Sequence, residues 1–207
     1  MARSANSFKR HASRYKAQPT VLVICEDSKS GKRYLEDATH HFRVHVVVEI
    51  SHCGKTDPKG IVVEAMQRER NFDRVFCVID RDTHENFNEA LALASTSLKT
   101  EIIPSYPCFE FWYLLHFGYT RKSYVAAGNG SAGDRLIDDL RLQKNMSGYA
   151  KGSHENIFSA LLPLLGNARK NSAQILASAV REGEMNPSTR IHELVNYFEQ
   201  LAVPQLK

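Results

Sequence analysis

Apolar positions along the 207-residue chain fall into two kinds of run, and the two kinds alternate. Residues 20–25 (TVLVIC) are continuously apolar, the pattern of a strand buried on both faces, as in a parallel sheet. Residues 44–50 (VHVVVEI) and 75–79 (VFCVI) repeat it, the latter closed by Asp80, and a short strand is predicted near 101–103. Between these runs the apolar residues recur at helical spacing. Tyr34, Leu35, Ala38 and Phe42 share one stripe, with Ser30 as a fitting N-cap; Ile61, Val62, Ala65 and Met66 share another; Phe87, Ala90, Leu91, Ala94 and Leu98 a third. Strands alternating with helices predict an α/β fold with a mostly parallel central sheet flanked by helices.

The pattern changes after Pro107. Residues 108–117 (CFEFWYLLHF) are apolar on nearly every side, which predicts a buried helix. Residues 118–152 hold six of the eleven glycines, interspersed with charges, and predict an excursion from the core that is partly mobile. Residues 154–181 read as one or two helices. Asn186 and Pro187 fit the cap and first turn of a last helix, whose buried face is Ile191, Leu194, Val195, Phe198 and Leu201. The chain therefore divides into a basic tail (1–18), an α/β core (19–117), a glycine-rich insertion (118–152) and C-terminal helices packed on the core (153–207).

Composition narrows the class. With 43% hydrophobic and 24% charged residues the chain is no disordered polymer, and no run of about 18 apolar residues offers a membrane span. Residues 1–16 contain no apolar h-region of a signal peptide. Cys25, Cys53, Cys77 and Cys108 form no CxxC pair, so a reducing, cytoplasmic setting is expected. The net charge of +4 is uneven: Arg3, Lys9, Arg10, Arg14 and Lys16 stand in the tail without an acid, and the remainder is close to neutral. Such an arm can bind a phosphate backbone, but taken alone it reads first as a solvated, disordered terminus.

Candidate chemistry gathers where the strands end. Asp80 and Asp82 close the third apolar run, and residues two apart in an extended segment point the same way. Two carboxylates aimed at one point repel unless a cation lies between them, and hard oxygen ligands are what Mg²⁺ or Mn²⁺ takes. A turn in which Asp80 caps the following helix is the alternative. Glu26 follows the first strand at the equivalent end; if the first and third strands are neighbours, Glu26, Asp80 and Asp82 converge. Lys29 and Lys32 open the next helix and either face an anionic substrate or are solvated. Glu110, set among aromatic residues, needs pairing, protonation or a metal if it is buried. His116 reads as a satisfied core histidine. His52 beside Cys53 lacks the second spaced pair of a zinc site.

Three segments, VICEDSKSGKRYLE, VFCVIDRDTH and SYPCFEFWYLLHF, together with the late NPSTRIHELV, resemble the RloB family, whose core is similar to the Toprim domain. The resemblance covers about residues 20–200. It implies a Toprim-like core in which Glu26 is the catalytic glutamate and a metal ligand, Asp80 and Asp82 are the metal-binding pair, and Glu110 and Lys151 are further catalytic residues. The family pattern at the first strand is richer in acids; here Asp27, Ser28 and Gly31 replace a glycine and two glutamates. The implied activity is Mg²⁺- or Mn²⁺-dependent cleavage of phosphodiesters in DNA or RNA. The implied setting is bacterial anti-phage or restriction-associated defence, beside an ATPase partner of the RloA type, with self-association open. A second reading keeps the same site without catalysis, as a nucleotide- or nucleic-acid-binding regulatory subunit of a defence complex.

Overall fold

The protein's structure, a computed structural model, describes residues 15–81, 84–152 and 156–205. Five strands form one sheet: β1 (Val21–Cys25), β2 (Val48–Ser51), β3 (Arg74–Asp80), β4 (Thr100–Tyr106) and β5 (Ser188–Thr189), in the spatial order β2-β1-β3-β4-β5. The first four run parallel, and β5 pairs antiparallel to β4. The helices are α1 (Gly31–His41), α2 (Pro58–Arg68), α3 (Phe87–Ala94), α4 (Glu110–Leu114), α5 (Ala132–Arg141), α6 (Ile157–Leu161), α7 (Leu165–Glu182) and α8 (Ile191–Leu201). The mostly parallel α/β architecture read from the alternating runs is the one observed.

Strand alternation divides the interior into two cores. Leu22 and Ile24 of β1, Val75, Cys77 and Ile79 of β3 and Ile102 of β4 pack with Ile61, Val62 and Ala65 of α2 and Phe87, Ala90 and Ala94 of α3. Val21, Val23 and Cys25, with Phe76, Val78 and Ile103, face a larger core that includes residues of α1 and of α4 to α8. Every β1 residue is buried, which is why that run shows no polar alternation. The strand order also fixes where a ligand crevice opens. The chain leaves β1 toward β2 on one side and returns to β3 on the other, so the strand order reverses between β1 and β3. In open α/β sheets that is where ligands bind, outside the carboxyl ends of the strands.

Three expectations need correction. The glycine-rich stretch does not stand off the core. It contains α5, whose start is a capping box between Ser131 and Asp134, and Tyr124, Leu136, Leu140, Met146 and Tyr149 are buried in the larger core. Its glycines mark turns, Gly128 and Gly152 among them at positive φ, while an amphipathic helix between them does the packing. Asn186 and Pro187 do not begin a helix. A cis peptide joins them ahead of β5, the Asn186 amide accepts from the Tyr124 N–H (3.3 Å) and donates to the Tyr124 carbonyl (2.7 Å), and α8 starts at Ile191. Strand β4 spans seven residues and is not a short closing strand.

The described chain begins against its own carboxyl-terminal part: Lys16 N–H donates to the Gln205 carbonyl (2.9 Å) and Gln18 Nε2 to the Leu201 carbonyl (2.6 Å). Of the basic arm, residues 1–14 lie outside the described residues. All four cysteines are free, and no described helix is long and apolar enough to cross a membrane.

Candidate functional site

The parallel register of β1 and β3 sets Glu26 beside Asp80. The strands align Cys25 with Val78, and Glu26 N–H continues the ladder to the Val78 carbonyl (3.0 Å). The Glu26 carboxylate then reaches across the strand ends. Its Oε2 accepts from the Asp80 N–H (2.9 Å), and its Oε1 lies 3.1 Å from Nε2 of His84. Asp80, the last residue of β3, is buried. Asp82 lies outside the described residues.

Glu110 comes from the far side of the same crevice. β4 ends at Tyr106, and α4 begins at Glu110, which is wholly buried. Its Oε1 accepts from the Ser30 hydroxyl (2.9 Å) and the Tyr149 hydroxyl (3.0 Å), whereas Oε2 has no hydrogen-bond partner among the described residues. Tyr113, one turn along α4, donates to the Ser30 carbonyl (3.1 Å). Lys151 Nζ stands 3.9 Å from both Asp80 Oδ2 and Glu110 Oε1. Its loop is tied down on two sides: Arg33 of α1 donates to the Gly152 carbonyl (3.2 Å), and Arg141 of α5 to the Tyr149 carbonyl (2.8 Å). Gly152 has φ +83°, and a Cβ there would meet Lys29 Cδ at 2.9 Å, so only glycine lets the loop lie against the Lys29 stem.

Asp27 has a structural task. Its carboxylate accepts from the backbone N–H groups of Lys29 (2.9 Å), Ser30 (2.6 Å) and Gly31 (3.1 Å), closing the amino end of α1. Ser30 therefore occupies the N-cap position without capping, and its hydroxyl is released to Glu110. At Gly31 an added Cβ would stand 3.1 Å from the Phe109 ring, so this position has no room for a longer side chain unless that ring moves.

The electrostatics follow from crowding. Burial, and then the neighbouring Glu110, Glu26 and Asp27, push the Asp80 carboxyl well above its ordinary range against the opposing pull of Lys151. Burial raises Glu26 as well, with the Asp80 N–H and His84 working the other way. Burial also acts against ionisation of Asp27, but its backbone donors and Lys151 outweigh that and hold it below its usual value. For Lys151 burial favours the neutral amine; Glu110, Asp80 and Asp27 overcome this and hold the ammonium protonated beyond its normal range.

The structure thus brings together Glu26, Asp80, Glu110 and Lys151. Of the helix-start lysines, Lys32 pairs with Glu36 one turn on and Lys29 packs its stem on Gly152. Asp80 does not cap the following helix; Asn86 holds the N-cap position of α3. His116 is a core residue, with Nδ1 3.0 Å from the Trp112 carbonyl, Nε2 3.5 Å from the Tyr34 hydroxyl, and its pKa pushed down to about 4 by burial. His52 Nδ1 meets the Cys25 carbonyl at 3.0 Å.

Among the described residues no group of three His, Cys, Asp or Glu side chains is arranged to hold a metal ion. The donor set nevertheless suits Mg²⁺ or Mn²⁺, which bind through one or two carboxylates and leave their other positions to water and substrate phosphate. Asp80 and Glu26 both bring hard oxygen donors to the strand ends, the Glu26 oxygens being engaged by the Asp80 N–H and by His84. His84, Tyr149 and the Ser30 hydroxyl went unread in the sequence. His84 had a signal, as the last residue of the VFCVIDRDTH segment; the other two are joined to Glu110 only by folding.

A family model described as RloB-like protein matches residues 21–198, a span containing every one of these side chains. No curated protein and no solved structure is matched by the chain.

Proposed function

The chain belongs to the RloB-like family, and from that premise we propose that it is a Toprim-like, Mg²⁺- or Mn²⁺-dependent nuclease that hydrolyses phosphodiesters in bacterial anti-phage defence beside a partner ATPase. The observation that carries this reading is the meeting of Glu26, Asp80, Glu110 and Lys151 at the carboxyl ends of β1 and β3, where the strand order reverses. Asp80 and Glu26 are the described residues that would hold the ion; Asp82, the other ligand expected from the sequence, lies outside the described residues. When bound, the ion supplies neutralisation of the phosphoryl oxygens and stabilisation of the leaving oxygen.

The chain's own residues do the rest. Glu26 is held at both oxygens, by the Asp80 N–H and by His84, and its raised proton affinity suits transfer of a proton to or from the reacting oxygens. Lys151 presents a fixed positive charge to an anionic substrate. Glu110, with Ser30 and Tyr149, positions that lysine.

One observation favours a second reading, a non-catalytic nucleotide- or nucleic-acid-binding subunit. Asp27, an acid beside the crevice, is committed to the backbone of α1 and is withdrawn from any ligand set. The two readings separate in one experiment. Single- and double-stranded DNA and RNA are incubated with the full chain, alone and with its ATPase partner, in Mg²⁺, Mn²⁺ or chelator. Metal-dependent cleavage that chelator stops is the expected result. Retention of nucleic acid without cleavage in every condition would replace the nuclease by the binding subunit.

A further inference from the structure

Lys151 sets one positive charge beside two buried carboxyl groups. Its Nζ is equidistant, at 3.9 Å, from Asp80 Oδ2 and Glu110 Oε1, two carboxylates that are both buried. Glu110 has one oxygen satisfied by the Ser30 and Tyr149 hydroxyls and a second, fully buried, with no hydrogen-bond partner among the described residues. A buried carboxyl group needs positive charge close by; Lys151 brings it to the Oε1 side, while Oε2 keeps no hydrogen-bond partner among the described residues. The position is built into the fold. Arg33 and Arg141 hold the carbonyls of Gly152 and Tyr149 on either side of Lys151, and the missing side chain of Gly152 lets the loop rest on the Lys29 stem.

We propose that Lys151 is a tethered cation that takes the place of a second divalent ion between Asp80 and Glu110. The site then holds one exchangeable ion, on the Asp80–Glu26 side, and one covalently fixed charge. The inference deepens the divalent-cation reading above and rests on it for the first ion. A divalent ion in the Asp80–Glu110 gap would meet both carboxylates directly or through its waters. Taking the ammonium away leaves two buried carboxyl groups with no cation beside them, and a divalent ion, which takes carboxylate oxygens, should replace it.

The test is Mn²⁺ uptake by the chelator-stripped full chain, measured by titration calorimetry at fixed ionic strength for wild type, Lys151→Met and Lys151→Arg. Lys151→Met should take up one more Mn²⁺ per chain than wild type, and Lys151→Arg no more than wild type. Equal uptake by Lys151→Met and wild type would overturn the proposal, as would an extra ion in Lys151→Arg. The readout is the difference between variant and wild type. A wild type that takes no Mn²⁺ would therefore sink the divalent-cation reading, while the difference would still decide the role of Lys151. Circular dichroism checks the fold; should Lys151→Met fail it, Lys151→Gln, which keeps most of the stem without the charge, gives the same count.

Discussion

Glu26 and Asp80 are placed by the sheet, whereas Glu110 and Lys151 are placed by what packs on it. The first pair stands at the ends of neighbouring parallel strands whose register is held by a continuous backbone ladder. Displacing the backbone of one residue from the other means breaking that ladder. The second pair depends on side chains: two hydroxyls on Glu110, two arginines on the loop of Lys151, and one glycine without which the loop could not lie down. The sheet pair is therefore rigid against mutation around it, and the packed pair is adjustable. A candidate site divided in this way keeps its sheet-borne half constant while its packed half can be tuned.

The largest effects should come from the sheet pair. Asp80→Asn should abolish Mn²⁺ uptake and cleavage together, beyond the 10–100-fold usual for residues that merely support a ligand. The same variant should melt higher than wild type in chelator at neutral pH. The Asp80 carboxyl binds its proton more tightly folded than unfolded, so the fold loses stability as pH rises from the ordinary carboxyl range toward the raised folded value. Asparagine has no such loss, and each kcal/mol of relief is worth about 2–4 °C in a chain of this size. A lower melting temperature would show that the Asp80 charge is better paired than its surroundings indicate. Glu26→Gln should slow cleavage by about 10²–10⁴-fold, the range of a general acid or base, and weaken Mn²⁺ uptake much less. If both variants lose metal equally, Glu26 acts through its hold on the ion alone and the proton-transfer role falls.

Acid should separate the two halves. His116 lies in the aromatic layer under α4, fully buried, and folding depresses its pKa from an ordinary 6.5 to about 4. The unfolded chain binds the extra proton between those values, so stability should fall by about 3 kcal/mol as pH drops from neutral to 4. Trp112, the single tryptophan, has its ring centroid 5.1 Å from that of His116 and reports on this layer by fluorescence. Denaturant melts followed at Trp112 should show the slope in wild type and a flatter one in His116→Gln; identical slopes would remove His116 from the acid response. The smallest effect is Gly152→Ala. Left-handed backbone costs an alanine roughly 1–2 kcal/mol, and its Cβ would strike Lys29. That loss should appear in thermal melts together with slower cleavage and unchanged Mn²⁺ uptake on the Asp80 side. A fall in that uptake would show that the halves are coupled after all.

What could be read in advance follows the same division. β1 and β3 are short apolar runs that end in an acid, so their identity and the placing of Glu26 and Asp80 rest on consecutive residues. The packed half is built by partners far apart in the chain, Ser30 with Glu110 and Arg33 with Gly152, and no local pattern announces them. Local signals misled where two structures share them. Asn186 followed by proline suits a helix start, but the Asn186 amide is taken by the Tyr124 backbone, and the chain turns into β5 instead. Glycine density in 118–152 obscured α5, because Leu136 and Leu140 acquire their meaning only against the larger core. Ser30 was legible as an N-cap position, but Asp27 takes the capping task and the Ser30 hydroxyl goes instead to Glu110, 80 residues away.

The two cores divided by the sheet have an evolutionary consequence. Leu22 and Ile24 answer to α2 and α3, while Val21, Val23 and Cys25 answer to the larger core that contains Glu110's helix. Substitutions at odd and even positions of one five-residue strand are thus judged by different neighbours, and compensating changes need not cross the sheet. The α2–α3 side is free to drift, or to acquire new surface contacts, without disturbing the aromatic layer on the other side. Lineages carrying this fold should therefore diverge fastest where α2 and α3 meet solvent, with the strand backbones as the one inheritance both sides must keep.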